Sequence, residues 1–368
     1  MADPSTNKKM LQLLKETFAG KRVFLTGHTG FKGAWMLQIL NWLGADVKGY
    51  SLAPEKSKDL YNEIDGEKLC FSSVMADLKD MHALQGEVVR FQPDFVFHLA
   101  AQSLVRRSYE EPVETFLVNT IGTANVLQAM RGLEKSCVGV MITTDKVYEN
   151  PERGLPFKED DKLGGYDPYS ASKAAAEIVV DSFRRSFFNP GKYAEHEKAI
   201  ASVRAGNVIG GGDYADDRII PDIVRAIDSG SAVTLRNPAS VRPWQHVLEP
   251  LGAYLLLAAK MVQDPVSYST AYNFGPEAGD EKPVEELTKI FLTAFGKEMQ
   301  YSIHQSDKNP HEANLLLLDS SKAEKELGWR PKLNSEAAIK WSAEWYADKA
   351  TPAADKCMKQ IKAYFESE

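Results

Sequence analysis

The chain carries 44 Lys and Arg against 51 Asp and Glu over 368 residues. The resulting net charge of −7 argues against a nucleic-acid binder, whose phosphate contacts need a basic face. A prior of about 150 residues per domain gives two or three domains, and 43% apolar with 26% charged residues are ordinary globular proportions.

Residues 1–20 read as a short leading helix with Leu11, Leu13, Leu14 and Phe18 as its apolar positions. MADPSTNKKM lacks a secretory h-region, and no apolar run approaches the roughly 20 residues of a membrane span. No membrane partner is therefore expected, and the expected location is the cytoplasm. From Lys21 onward short apolar runs alternate with helix-length stretches. The runs are Arg22–Thr26, Asp46–Leu52, Val74–Leu78, Asp94–Ala100, Val138–Thr144 and Ile200–Ala205. Strands buried on both faces read as continuous Val/Ile/Leu/Phe runs, and alternation with helices implies right-handed crossovers in a parallel sheet. The expected fold class is α/β, a doubly wound parallel sheet of the Rossmann kind over residues 21–205, preceded by the 1–20 extension. After Gly210-Gly211-Gly212 the rhythm loosens. Residues 206–368 are expected to form mainly a smaller mixed α/β substrate-binding domain, with some segments returning to the sheet. Cys70, Cys137 and Cys357 have neither a disulfide framework nor metal-ligand spacing, so free thiols and no metal are expected.

The first run leads into Gly27-His28-Thr29-Gly30-Phe31-Lys32-Gly33 and then into an apolar helix over Ala34–Leu43. Glycines at 27, 30 and 33 allow a tight turn, close approach of backbone N–H groups to a pyrophosphate, and tight helix–strand packing. The helix N-terminus adds partial positive charge. Between a first strand and a first helix, this pattern predicts dinucleotide binding. The second strand should end on an acid that holds the adenosine ribose of NAD, and Ser51 stands there instead. A hydroxyl discriminates less sharply against a 2′-phosphate, so NAD is expected and NADP stays open. Asp77-Leu78 reads either as an adenine contact or, at Asp77, as a helix N-cap.

Asp167 and Pro168 suit the N-cap and first position of a helix. Tyr169 and Lys173, four apart, then share one face, where an ammonium beside a phenol is expected to favour the phenolate. Taken with TGHTGFKG, HLAAQ at His98–Gln102, VNTIGTANVL at Val118–Leu127, TTDKVY at Thr143–Tyr148 and LDSSKAEKELGWRP at Leu318–Pro331, the chain resembles the extended short-chain dehydrogenases/reductases. GGYDPYS, RAGNVIGGGD at Arg204–Asp213 and RPWQHVLEPL at Arg242–Leu251 narrow the resemblance to nucleotide-sugar 4,6-dehydratases, in particular those acting on CDP-glucose.

That resemblance implies oxidation of the sugar at C4, loss of water across C5–C6 and return of the hydride to C6. Tyr169 would take the 4-hydroxyl proton, Lys173 would tune it and bond the nicotinamide ribose, and Thr144 would orient the 4-oxygen. Many sugar dehydratases carry Asp-Glu after the Thr; here Asp145-Lys146 follows, giving Asp145 as the acid and Lys146 as a candidate base or a salt-bridging lysine. The glycine-loop residues, Ser51, Asp77, Leu78, Ala100, Ala101 and Asn119 would join Tyr169 and Lys173 in holding the cofactor. Gln102, Ser103, Asn207, Arg218, Arg242 and Asn273 would hold the substrate, while Trp244 and His246 suit the core. The resemblance also implies a homodimer pairing two helices per subunit, and a place in deoxysugar biosynthesis of the lipopolysaccharide O-antigen kind. The rival readings are a C4 epimerase, a dehydratase for another nucleotide and a non-enzymatic dinucleotide sensor. An epimerase needs no acid/base pair for elimination, and a sensor can dispense with Tyr169 and Lys173.

Overall fold

Strands form where β-branched and aromatic residues run on, because both faces of a central sheet are covered. In the computed structural model, which describes residues 4–151, 154–297, 301–303 and 315–366, seven strands build one parallel sheet. They are β1 (Arg22–Thr26), β2 (Asp46–Ser51), β3 (Ser72–Met75), β4 (Phe95–His98), β5 (Cys137–Ile142), β6 (Lys198–Arg204) and β7 (Ala271–Asn273). Their order is β7-β6-β5-β4-β1-β2-β3, with Val23 opposite both Val47 of β2 and Phe95 of β4. The chain winds one way from β1 and the other way from β4. The crevice between these two strands is the topological switch point, where ligands bind in open α/β sheets.

Strands β2 to β6 differ by one to three residues at one or both ends from the sequence expectation, and β3 and β5 show why. The third run was expected over Val74–Leu78, but β3 spans Ser72–Met75. It is the sheet edge and only half-buried, so it carries no continuous apolar run to mark its limits. The fifth run was expected to reach Thr144, but β5 stops at Ile142. Asp145–Val147 then form a 3₁₀ turn, within which the Lys146 amide donates to the Thr144 hydroxyl at 3.4 Å.

One face of the sheet is covered by α2 (Phe31–Trp42), whose residues Gly33–Leu40 are buried all the way round. A helix apolar on every side must be covered on every side. The cover comes from α7 (Leu248–Gln263) and α8 (Ala353–Glu366), against which α1 (Pro4–Phe18) also packs. Leu14 and Phe18 of α1 are fully buried, with the Phe18 ring 4.7 Å from that of Phe95. The opposite face carries α3 (Met81–Phe91), α4 (Gly122–Arg131) and α5 (Pro168–Ser186), with Leu84, Val88, Val126, Met130 and Val180 in its core. A π-helical segment at Leu117–Ile121 leads into α4, and α6 (Ile219–Ser229) follows the glycine triplet. No helix among the described residues is long and apolar enough to cross a membrane.

Candidate active site

The glycine loop is shaped by close approach. Gly27 has φ +73°, and a Cβ there would lie 2.6 Å from the Ala100 nitrogen; at Gly33 it would lie 1.9 Å from the Gly27 oxygen. No side chain caps α2 at Gly30, so its first-turn N–H groups face the switch-point crevice. At the end of β2 the Ser51 and Thr29 hydroxyls are 2.8 Å apart, and Thr29 donates to the Leu52 carbonyl at 2.9 Å. An uncapped helix start, a cradle that any side chain would fill and hydroxyls at the ribose position fit a dinucleotide. Ala100 and Ala101 line the same loop crevice, half-buried. One loop side chain, His28, turns away from the loop crevice. His28 is buried against β2 and β3, with Nε2 2.8 Å from Ser73 Oγ, and burial holds its pKa down to about 4. Lys32 is brought within electrostatic range of Arg218, Lys173 and Asp145. Burial first, then the Arg218 and Lys173 charges, push it down to about 8 against the pull of Asp145.

Asp167 caps α5 through a bond from the Ser170 amide at 2.9 Å, which starts the helix where Tyr169 and Lys173 share a buried face. Lys173 Nζ donates to the Ile142 carbonyl at 3.0 Å, and burial lowers it to about 8, with Glu177 pulling upward. Tyr169 shares a hydrogen bond with Thr144. Its pKa was expected to fall, but burial raises it to about 12, Thr144 only partly offsetting this and Asp145 adding to it. Lys173 gives one of its three N–H groups to a carbonyl, and proximity along one helix face does not by itself favour the phenolate.

Thr144 Oγ1 donates to Asp145 Oδ1 at 2.8 Å, and Asn207 Nδ2 lies 3.3 Å from Asp145 Oδ2. Asn207 holds φ +50°, a left-handed conformation that asparagine tolerates better than most residues. Beside it, a Cβ at Gly206 would lie 1.8 Å from Asp145 Oδ2, so only glycine leaves room for that carboxyl. Asp145 is 2% exposed, whereas Lys146, next along the same 3₁₀ turn, is half-buried. The structure therefore brings Thr144, Asp145, Tyr169, Lys173 and Asn207 to one place at the ends of β5 and β6.

The expected substrate set is divided. Arg218 pairs with Asp213 at 3.0 Å and donates to Ser103 Oγ at 3.1 Å, joining the loop after β4 to the approach to α6. Arg242 lies in a short strand paired with Lys282-Pro283 and donates to the Val241 carbonyl at 3.0 Å. Asn273 does not face the cleft. It is fully buried, accepting from Tyr148 OH at 2.7 Å and donating to the carbonyls of Phe157 and Asp319. Asn119 is likewise consumed internally, accepting from the Gln102 amide and donating to the Gln102 carbonyl and Ser172 Oγ. Gln102 spends its own amide on Leu104 and Thr115. Asp77 accepts from the Lys79 amide at 2.9 Å; the α3 N-cap is Asp80, and Leu78 is buried. Trp244 and His246 are core residues, His246 fully buried.

Sequence reasoning passed over Glu177, Arg204, Gly206 and Asp213. Glu177 was visible as the third member of a four-residue spacing from Tyr169 and Lys173.

A switch-point glycine loop beside a Tyr/Lys helix is the arrangement of an extended short-chain dehydrogenase/reductase. Residues 24–341 match the family described as GDP-mannose 4,6 dehydratase, and the chain belongs to that family. It is 44% identical over 335 residues to CDP-glucose 4,6-dehydratase of Salmonella typhimurium, covering 90% of this chain and 93% of that one. It is 28% identical to dTDP-glucose 4,6-dehydratase of Streptomyces antibioticus, over 89% of this chain and 92% of that one. Among solved structures, Thermus thermophilus UDP-glucose 4-epimerase in complex with NAD superposes with a TM-score of 0.73 at 25% identity, covering 90% of this chain and all of that one. Streptomyces venezuelae dTDP-glucose 4,6-dehydratase superposes with a TM-score of 0.72 at 24% identity, covering 89% and 97%.

Proposed function

We propose that the chain is an NAD-dependent hydro-lyase that converts CDP-glucose to CDP-4-keto-6-deoxyglucose. The observation that carries this reading is the 44% identity, along nearly the whole chain, to a CDP-glucose 4,6-dehydratase. The site supports dehydration over C4 epimerisation because it holds a buried carboxyl, Asp145, beside the Thr144–Tyr169 pair. Epimerisation has no use for such an acid.

The α2 N-terminus, Thr29 and Ser51 would hold NAD, which would supply the acceptor for the C4 hydride and its return to C6. Buried Tyr169 by itself holds its own proton; the positive charge of the bound oxidised cofactor would favour the phenolate, which would take the 4-hydroxyl proton while Thr144 orients that oxygen. A ketone at C4 makes C5–H acidic, so Lys146, half-buried at the same strand end, can remove it. Asp145 gives its proton to the departing 6-hydroxyl. Arg218 and Arg242 carry the forked cations that suit a diphosphate. Tyr169→Phe removes the base and is expected to cost about 10²–10⁴-fold in kcat while cofactor binding survives, the usual range for general acid–base groups.

The proposal extends to a homodimer. Val113, Phe116, Leu117, Ile121 and Ile178 form an exposed apolar face where the Pro112–Phe116 helix and the π segment lie against α5. The deciding experiment presents CDP-, dTDP-, UDP- and GDP-glucose in turn, following the 4-keto product by its absorbance in base. Preferred turnover of CDP-glucose, with C4 label recovered at C6 and no net NADH, is expected. Label retained only in the cofactor pool, or another nucleotide preferred, overturns this function.

A further inference from the structure

Glu177 is a buried carboxylate that the reaction as described does not use. It sits one helical turn beyond Lys173 on α5, 3% exposed. Its Oε1 accepts from Thr143 Oγ1 at 2.5 Å, and its Oε2 accepts from Ser202 Oγ at 2.7 Å and Arg204 Nη2 at 2.9 Å. Burial works against its charge, but Arg204 and the two hydroxyls more than offset this and hold the carboxyl below its usual range. Arg204 is itself anchored, donating to Tyr148 OH at 2.7 Å and to the Glu159 carbonyl at 2.9 Å. The three groups on Glu177 come from the end of β5, from β6 and from the β6 terminus. One carboxylate thus ties α5, with Tyr169 and Lys173, to the strand end that carries Thr144 and Asp145. Thr143, which bonds Glu177, follows Ile142, whose carbonyl accepts from Lys173 at 3.0 Å.

We propose that Glu177 is a positioning residue for the oxidation step, a fixed negative charge one turn along α5 that keeps Lys173 cationic beside Tyr169. The proposal rests on Tyr169 and Lys173 being the oxidising pair. An uncompensated buried ammonium gives up its proton, because desolvation penalises the charged form. Lys173 is pushed down to about 8 by burial, and the opposing influence is Glu177. The other titratable groups gathered around the pair are His98 from β4, Lys32 from α2, Asp145 after β5 and Arg218 before α6. His98 is held neutral by burial, down to about 3, so it contributes no change of charge near neutral pH.

The test is a pH titration by NMR of the full-length protein labelled with [13Cε]lysine, without cofactor or substrate. Lys32 is also held near 8, so the Lys173 signal is assigned as the one missing from Lys173→Met. A midpoint about one pH unit or more lower in Glu177→Gln is expected, the size of shift that a close opposite charge provides. The alkaline limb of kcat/KM for CDP-glucose should move with it. Thr143→Val removes one bond and no charge; it should lower Tm and leave the midpoint in place. Should Glu177→Gln fail to fold with Arg204 left unpaired, Glu177→Gln/Arg204→Met removes both charges and should still lower the midpoint. An unmoved midpoint in a folded variant lacking Glu177, or an equal shift in Thr143→Val, overturns the proposal. No turnover of CDP-glucose by the wild type would overturn the proposed function and leave the NMR result standing.

Discussion

Asp145 depends on what surrounds it at atomic distance. Two partners, Thr144 and Asn207, fix its two oxygens, and Gly206 leaves the space it fills. Gly206→Ala is therefore expected to displace the carboxyl and slow elimination towards the 10²–10⁴-fold range of a lost general acid, with cofactor binding retained. Binding by fluorescence quenching and single-turnover product formation separate the two; a variant with wild-type elimination shows that the carboxyl needs no fixed place. Asp145→Asn and Lys146→Ala should each still exchange hydride between substrate C4 and the cofactor pool while losing the 4-keto-6-deoxy product. Solvent deuterium should no longer enter C5 in the Lys146 variant. Wild-type exchange there assigns the base to another residue. At this scale the shared helix face of Tyr169 and Lys173 and the adjacency of Thr144 and Asp145 were legible because each spacing is local. The internal hydrogen bonds of Asn119 and Asn273 were not legible, because sequence shows an amide without showing where its hydrogen bonds are spent.

Between elements, another buried carboxyl joins α7 to α8 and the segment before it. Glu249 of α7 is fully buried, with Oε1 accepting from the Lys332 and Leu333 amides at 2.9 and 2.7 Å and Oε2 accepting from Tyr364 OH of α8 at 2.9 Å. Burial raises its pKa to about 7, these hydrogen bonds and Lys332 only partly countering it. A carboxyl whose folded pKa lies above its ordinary 4.5 favours folding fully below that value. The benefit is lost as pH climbs towards 7, by about 3 kcal/mol at 1.36 kcal/mol per unit. Buried His28, His98 and His246 act in the opposite sense. Their folded pKa values lie below 6.5, so their contribution is lost as pH falls beneath it. The wild type should thus lose stability on acidification from pH 6.5 to 4.5, and Glu249→Gln should lose it more steeply. Urea unfolding across that range checks this; parallel curves mean that Glu249 keeps an ordinary pKa. None of this coupling was legible in sequence, since Glu249 meets partners more than 80 residues away.

For the molecule as a whole, the parallel doubly wound sheet was the legible part, because most strands covered on both faces announce themselves as apolar runs. β7 was not among those runs: three residues, Ala271–Asn273, carry too little pattern to be singled out. The surface that a partner would cover was also hidden, since exposed apolar residues look like core residues in a sequence. Val113 is 71% and Ile178 60% exposed, and both belong to elements packed side by side. Apolar surface of this kind is what the proposed homodimer would cover. The same helix turns Tyr169, Lys173 and Glu177 inward, so a partner seated on Ile178 would brace the catalytic helix from behind. Ile178→Glu places a charge where the proposed two-fold contact would bury it, and Val113→Glu does so from the neighbouring helix. Either variant should sediment at half the wild-type mass, with a lower Tm that no longer rises with protein concentration, as mass action requires of a dimer. Their kcat should fall further than their cofactor affinity, because α5 carries the base while the α2 loop carries the dinucleotide. A wild type that sediments as a monomer at micromolar concentration, or variants that remain dimeric, would remove this face from the assembly.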